Sequence, residues 1–130
     1  WHSYQENAFS LANLLIGCGG MSGSHELWEK ELRLFDIDAN RAKERAGQAH
    51  DFQGGPKPAV YTAVEEMLAK SSNLDCVDIC ALHSAHHILA APALEAGLHV
   101  IIEKPLGITM RACKLILNAA EQNGKILSVA

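Results

Sequence analysis

The segment Leu14–Gly23 reads LLIGCGGMSG, an apolar stretch running straight into glycines. Gly17 and Gly19 take the first two positions of a G-x-G-x-x-G fingerprint. Ser22 stands at the third, with Gly23 beside it. The chemistry such a loop suits is the binding of a pyrophosphate. The first glycine makes the tight turn out of a strand, and the second lets backbone approach the phosphates. The free N–H groups and dipole of the next helix N-terminus then favour negative charge. A glycine run alone also fits an ordinary turn. Asp36 adds weight, because an acid about 20 residues beyond the first glycine is placed to accept hydrogen bonds from the adenosine ribose hydroxyls of a dinucleotide. Asp36 otherwise reads as a helix cap or a surface acid. Asp36 and Asp38 together disfavour a ribose 2′-phosphate, since like charges about 4 Å apart repel by roughly 1–4 kcal/mol, depending on dielectric. Arg41 would offset this by folding back. The expected cofactor is NAD, with NADP less favoured.

A second set is Glu103-Lys104, directly after the apolar run His99–Ile102 and before Pro105. Open parallel sheets bind ligands beyond the carboxyl ends of their strands. A lysine beside a desolvated site can shift its pKa and act as acid or base. The plainer alternative is a structural Glu and a solvated Lys before a proline turn. His83, His86 and His87 have spacings that share a helix face, and His is a common zinc ligand. No carboxylate or cysteine of suitable spacing completes a closed site, so no metal is expected. Of the four cysteines, Cys76 and Cys80 lie in one strand-like run. Four residues of strand span about 13 Å, beyond the roughly 7 Å limit for bridging. Four reduced cysteines packed as small apolar residues, in a cytoplasmic setting, are the expectation.

These residues need elements to hold them. Asn13–Ile16 is apolar and stops at the glycines. A short helix is expected over 21–30, where His25 and Trp28 read as packing or surface residues. Glu31–Asp36 alternates polar and apolar. A helix follows over 40–49, its Arg41–Arg45 run a solvated face. The stretch FQGGPKP is a loop by its Gly and Pro content. Ala59–Tyr61 is a strand, and 64–70 a helix with Val64, Met67 and Leu68 at helical spacing. In the second half, Cys76–Leu82 is a strand, 85–96 a helix closed by Gly97, and His99–Ile102 a strand buried on both faces. Thr109 caps a helix over 110–123 that Gly124 closes, and 125–130 is a last strand. Six strands alternating with five helices imply parallel pairing through right-handed crossovers. The fold class is α/β, a doubly wound parallel sheet of the Rossmann kind with helices on both faces.

The segment Ala93–Leu106 reads ALEAGLHVIIEKPL. Together with GCGGM, DID, VYTAVEEML and LDCVDIC it resembles the N-terminal domain of the Gfo/Idh/MocA family of oxidoreductases, over about residues 13–130. The resemblance implies a pyrophosphate turn of Gly17, Cys18, Gly19, Gly20 and Met21, and an adenosine ribose held by Asp36. It implies a cofactor wall after the fourth strand. Where the family reads Thr-Pro-Asn, this chain has Ala81-Leu82-His83, while His86 matches the family's histidine. Glu103 and Lys104 match its Glu-Lys-Pro, whose Lys lies by the nicotinamide and is the implied catalytic residue. The implied reaction moves hydride between nicotinamide and a hydroxyl-bearing carbon of a sugar, cyclitol or other polyol. Family members carry a second domain that completes the substrate site and often the dimer contact. None of it is read in these residues, so residues 1–12 are expected to be a poorly ordered extension and 13–130 the dinucleotide-binding domain. On this reading the isolated chain turns over no substrate. The rival readings are a non-catalytic dinucleotide module or redox-sensing subunit, and a relic that binds nothing.

Composition agrees with a globular domain. Hydrophobic residues are 48% and charged residues 20% of 130, which excludes disorder on composition. The net charge of −4 excludes the basic footprint of a nucleic-acid binder. No apolar run approaches the roughly 18–20 residues of a membrane span, and the opening WHSYQENAFS lacks the pattern of a signal peptide. The glycine loop generates the first test. Gly19→Val is expected to remove most NADH affinity in a fluorescence titration, because a branched side chain blocks the pyrophosphate. Equal affinities would refute the loop's assignment.

Overall fold

The computed structural model describes residues 11–14, 33–53, 56–70 and 74–130. The strands β1 (Leu11–Leu14), β2 (Arg33–Phe35), β3 (Ala59–Tyr61), β4 (Cys76–Cys80), β5 (His99–Ile102) and β6 (Leu127–Val129) form a six-stranded sheet. The Val and Ile residues of the last four suit the pleated, half-buried surface of a strand. The strand order is β3-β2-β1-β4-β5-β6, which is the doubly wound order with its switch point beside β1. The pairs β2–β3, β4–β5 and β5–β6 are parallel.

The first strand departs from the sequence expectation. It spans 11–14 rather than 13–16, and it pairs antiparallel with both β2 and β4. Leu11 lies opposite Cys80, and Leu14 opposite Arg33. A four-residue strand meets its neighbours' N–H and C=O groups in either sense, so the central slot does not by itself dictate direction. The glycine loop, the helix expected over 21–30 with His25 and Trp28, and Cys18 lie outside the described residues.

The helices are α1 (Ala39–Gln53), α2 (Val64–Ala69), α3 (His86–Glu95) and α4 (Met110–Gln122), with a 3-10 turn over His83–Ala85. Phe52 and Gln53 close α1 instead of opening the expected loop. α1 presents Ala42 and Ala46, both buried, towards β2 and β3. The main core gathers Met67 of α2, Leu89, Ala90, Ala93 and Leu94 of α3 and Ile116 of α4 over Phe35, Val77, Ile79, Val100 and Ile102. Ala42 and Ala46 lie outside that cluster, so helices cover both faces. β5 buries Val100 and Ile102 and half-buries His99 and Ile101, an alternation where burial on both faces was expected.

Two helix ends set where β5 and β6 begin. Gly97 has φ 87° and Gly124 φ 59°, values that cost a residue with a Cβ but not glycine. Gly97 N–H donates to Leu94 O and Leu98 N–H to Ala93 O; Gly124 N–H donates to Glu121 O and Lys125 N–H to Ala120 O. Both are Schellman closures that satisfy otherwise orphaned carbonyls. At the other end of α4, Thr109 Oγ1 accepts from Ala112 N–H at 3.1 Å. Thr109→Ala is expected to cost roughly 0.5–2 kcal/mol by chemical denaturation, and Thr109→Ser far less. A silent Thr109→Ala would show that this cap carries no stability.

Candidate functional site

The carboxyl ends of β2, β4 and β5 share one edge of the sheet, because β2 and β4 both run against β1 and β5 runs with β4. Asp36 follows β2, Ala81 to His83 follow β4, and Glu103 and Lys104 follow β5. The structure therefore brings these expected residues to a common edge. It does not bring Gly17, Cys18, Gly19, Gly20 or Met21 into the description, and β1 leaves towards the entry of β2 rather than its exit. That direction departs from the expected layout of the edge.

Asp36 is fully buried. Its N–H donates to Tyr61 O at 3.1 Å, continuing the β2–β3 ladder past the strand. Its Oδ1 accepts from Asp38 N–H at 2.8 Å, while Oδ2 is buried with no hydrogen-bond partner among the described residues. Arg41 Nε approaches Oδ2 to 3.7 Å. Burial pushes the Asp36 carboxyl above the ordinary carboxylate range, and the Asp38 N–H bond and Arg41 charge offset part of this. The helix-cap role falls to Asp38. Its Oδ1 accepts from the N–H groups of Asn40 and Arg41 at 2.9 and 3.3 Å, which starts α1. Those N–H bonds, Arg41's first, hold the Asp38 carboxyl below the usual range. Arg41 Nη2 also reaches Asp38 Oδ2 at 3.5 Å. Arg41 has thus folded back onto both acids. Lys43 and Glu44 form an exposed face, while Arg41 and Arg45 are half-buried.

A crevice of about 350 Å³ opens between the ends of β2 and β4. Phe35 and Ile37 line one side, residues 62–65 its floor, and Leu82, Ala85, Ile88 and Leu89 the other. Its character is apolar, with Thr62 and Glu65 as polar members, which suits a flat ring system. Sequence reasoning singled out only Leu82 of this set. The others carry no chemical signature; an apolar residue of a wall reads like one of a core.

The expected cofactor wall divides. Leu82 and His83 are exposed, whereas Ala81 and His86 are buried. Both ring nitrogens of His86 face backbone carbonyls, Nδ1 to Pro105 O at 2.9 Å and Nε2 to Ala81 O at 3.2 Å. His86 therefore stands behind the wall rather than in it. At the β5 exit, Glu103 N–H donates to Ile79 O at 3.1 Å and Lys104 N–H to Ala130 O at 3.2 Å. The Lys104–Pro105 peptide bond is cis. Both charged side chains are exposed at the edge. Among the described residues no group of His, Cys, Asp or Glu is placed to hold a metal, and no helix is long and apolar enough to cross a membrane. Cys80 and Cys113 are free thiols.

Residues 11–130 match the family model GFO_IDH_MocA, an oxidoreductase family with an NAD-binding Rossmann fold. The chain belongs to the Gfo/Idh/MocA family. It is 31% identical over 121 residues to D-apiose dehydrogenase of Paraburkholderia graminis, covering 88% of this chain and 30% of that protein. It is 34% identical over 118 residues to an alpha-N-acetylgalactosaminidase of Shewanella oneidensis, covering 85% of this chain and 26% of that protein. Among solved structures it resembles an inositol dehydrogenase homolog of Azotobacter vinelandii complexed with NAD+, with TM-score 0.64 and 26% identity over 73% of this chain and 24% of that one. The chain spans about a quarter to a third of the length of these relatives.

The edge also contains an electrostatic conflict. Asp78 of β4 is half-buried, and burial raises its carboxyl above the ordinary range, helped by the charge of Glu103 and opposed by the Cys80 S–H. Cys80 is exposed at the end of β4 rather than packed as a small apolar residue, and partial desolvation of its thiol, with the charges of Asp78 and Glu103 nearby, pushes it up to about 12. A raised carboxyl contributes stability that is present below the ordinary carboxylate pKa and lost as pH rises through the raised value. Asp78→Asn is therefore expected to raise the melting temperature at pH 7 and to leave it unchanged near pH 3. It should also bring Cys80 alkylation into a lower pH range, followed by mass spectrometry. A lower melting temperature at pH 7 would overturn this account.

Proposed function

We propose that this chain is the NAD-binding domain of an oxidoreductase whose substrates are sugars, cyclitols or related polyols. The observation that carries the proposal is Asp36. A fully buried carboxylate with one oxygen lacking a hydrogen-bond partner among the described residues stands at the exit of β2, beside an apolar crevice. A buried acceptor without a donor is costly, and a ribose hydroxyl would supply that donor. The residues present fit a dinucleotide. Asp36 would hold the adenosine ribose and the crevice between Phe35 and Leu82 the adenine; the assignment of the pyrophosphate to residues 17–21 rests on their sequence alone, since β1 runs from the Asp36 edge towards the entry of β2.

When bound, nicotinamide supplies the hydride chemistry. Lys104 moves or holds a proton at the substrate oxygen, and Glu103 and His83 line the approach. Acids at positions 36 and 38 repel a 2′-phosphate, and Arg41, folded back onto both, offsets part of that repulsion. NAD is accordingly preferred to NADP. The dehydrogenases of apiose and inositol support a polyol substrate class. The galactosaminidase relative favours a second reading, a sugar-directed hydrolase on the same domain. Self-association through a further domain and a cytoplasmic setting belong to the same proposal.

Titration with NADH and NADPH tests the cofactor assignment. Asp36→Ala is expected to narrow the preference for NADH by roughly 1–3 kcal/mol; equal wild-type affinities would sink it. In the full natural chain, Lys104→Ala should lower turnover by about 10²–10⁴-fold while leaving NADH affinity nearly unchanged. The assay follows NADH absorbance with a panel of polyols and aldoses, and glycoside hydrolysis in parallel. Hydrolysis without net NADH change would select the second reading, and full activity of Lys104→Ala would remove Lys104 from the chemistry.

A further inference from the structure

We infer that His86 is a positioning residue, a buried strut that ties the Lys104 turn to the exit of β4 and does not touch cofactor. The inference rests on the assignment of Lys104 to the chemistry. His86 opens α3 and has no exposed surface. Its two nitrogens meet the carbonyls of Pro105 and Ala81 at 2.9 and 3.2 Å. Those carbonyls belong to the residue after Lys104 and the residue after the last of β4.

The chemistry of the ring explains why this position suits a histidine. Imidazole carries nitrogen atoms on two sides of one rigid ring, so a single side chain can meet two carbonyls that approach from different strands. The neutral ring donates to one of them, and the protonated ring to both. A Gln amide keeps both donors on one nitrogen, so it reaches two carbonyls only where they lie side by side rather than on two sides of a ring. A Leu serves neither and strands a buried acceptor. The edge of the exposed His83 ring packs against His86, with centroids 5.5 Å apart and planes at 73°.

The consequence falls on Lys104. Its own N–H is held by Ala130 O, and the N–H of the residue before it by Ile79 O. The carbonyl of the residue after it is held by His86. The backbone that carries the side chain is therefore fixed on both sides and referenced to β4, which also carries the Leu82 wall. A misplacement of about 1 Å at a reacting group can cost about 10²-fold in rate, so a strut of this kind is expected to act on turnover rather than on cofactor affinity.

Two measurements test this. In His-labelled protein, long-range proton–nitrogen NMR reads which His86 nitrogen carries hydrogen. Nδ1 is expected to be protonated and hydrogen-bonded, with no change on adding NADH. A large NADH-dependent shift at Nδ1 or Nε2, of the size direct contact produces, would overturn the inference. This arm needs no catalysis. Failure of NADH to bind would instead count against the proposed function, and an Nδ1 without hydrogen would count against the strut alone. In the full natural chain, His86→Leu should lower kcat by about 10–100-fold, with the Kd for NADH moving less than about threefold. His86→Gln should recover part of the loss. Adding Lys104→Ala to His86→Leu should cost much less than Lys104→Ala costs alone, because the two changes act through one group. Fully additive losses, or a Kd that rises as far as kcat falls, would refute a positioning role. Should His86→Leu fail to fold, the Gln variant with and without Lys104→Ala carries the same comparison.

Discussion

Parallel strands of one ladder all leave the sheet at one edge, and their hydrogen bonds reach one residue past each strand. That constraint organises everything at the site. Because β4, β5 and β6 run the same way, the N–H of Glu103 finds Ile79 O and the N–H of Lys104 finds Ala130 O. Across the sheet, Asp36 N–H finds Tyr61 O by the same continuation of β2 onto β3. The acid and the lysine are thus not loop residues placed by chance. Each is the first residue or nearly the first beyond a ladder, where the backbone is still held but the side chain is no longer committed to a sheet face.

The helices complete that edge by their ends. α1 begins at the Asp38 cap, which draws Arg41 back onto Asp36 and Asp38. α3 begins at His86, whose ring reaches the turn beyond Lys104. At their far ends, the Gly97 and Gly124 closures return the chain at once to β5 and β6. Short returns leave little freedom in register, and a register slip of one residue would exchange Val100 and Ile102 for His99 and Ile101 on the core face.

Electrostatics at the edge follow from packing. Asp36, Asp78 and Cys80 are all shifted upward chiefly by loss of water. Of the three, only Asp36 combines full burial with a buried oxygen that has no hydrogen-bond donor among the described residues. Cys80 is exposed, and its raised thiol carries little thiolate, the nucleophilic form, at neutral pH.

Much of this was legible in the residues themselves. The strands Ala59–Tyr61 and His99–Ile102 have the bounds that their short apolar runs suggested, although β5 alternates where burial on both faces was expected. Thr109, Gly97 and Gly124 work as the caps their types announce, because capping is local chemistry between a side chain or a φ angle and the nearest turn. Glu-Lys-Pro and the acid of DID were visible as motifs because each lies within a residue or two of a strand end, a local relation. What the sequence could not determine depends on partners far along the chain. The direction of β1 is set by pairing, which a four-residue apolar run satisfies either way. The apolar walls of the crevice looked like core until the ends of β2 and β4 were brought face to face. His86 looked like a wall residue, and only the meeting of Ala81 with Pro105 around its ring showed it to be held inside. Local interactions are written in neighbouring residues, whereas burial and the matching of donors to acceptors are decided only when distant segments meet.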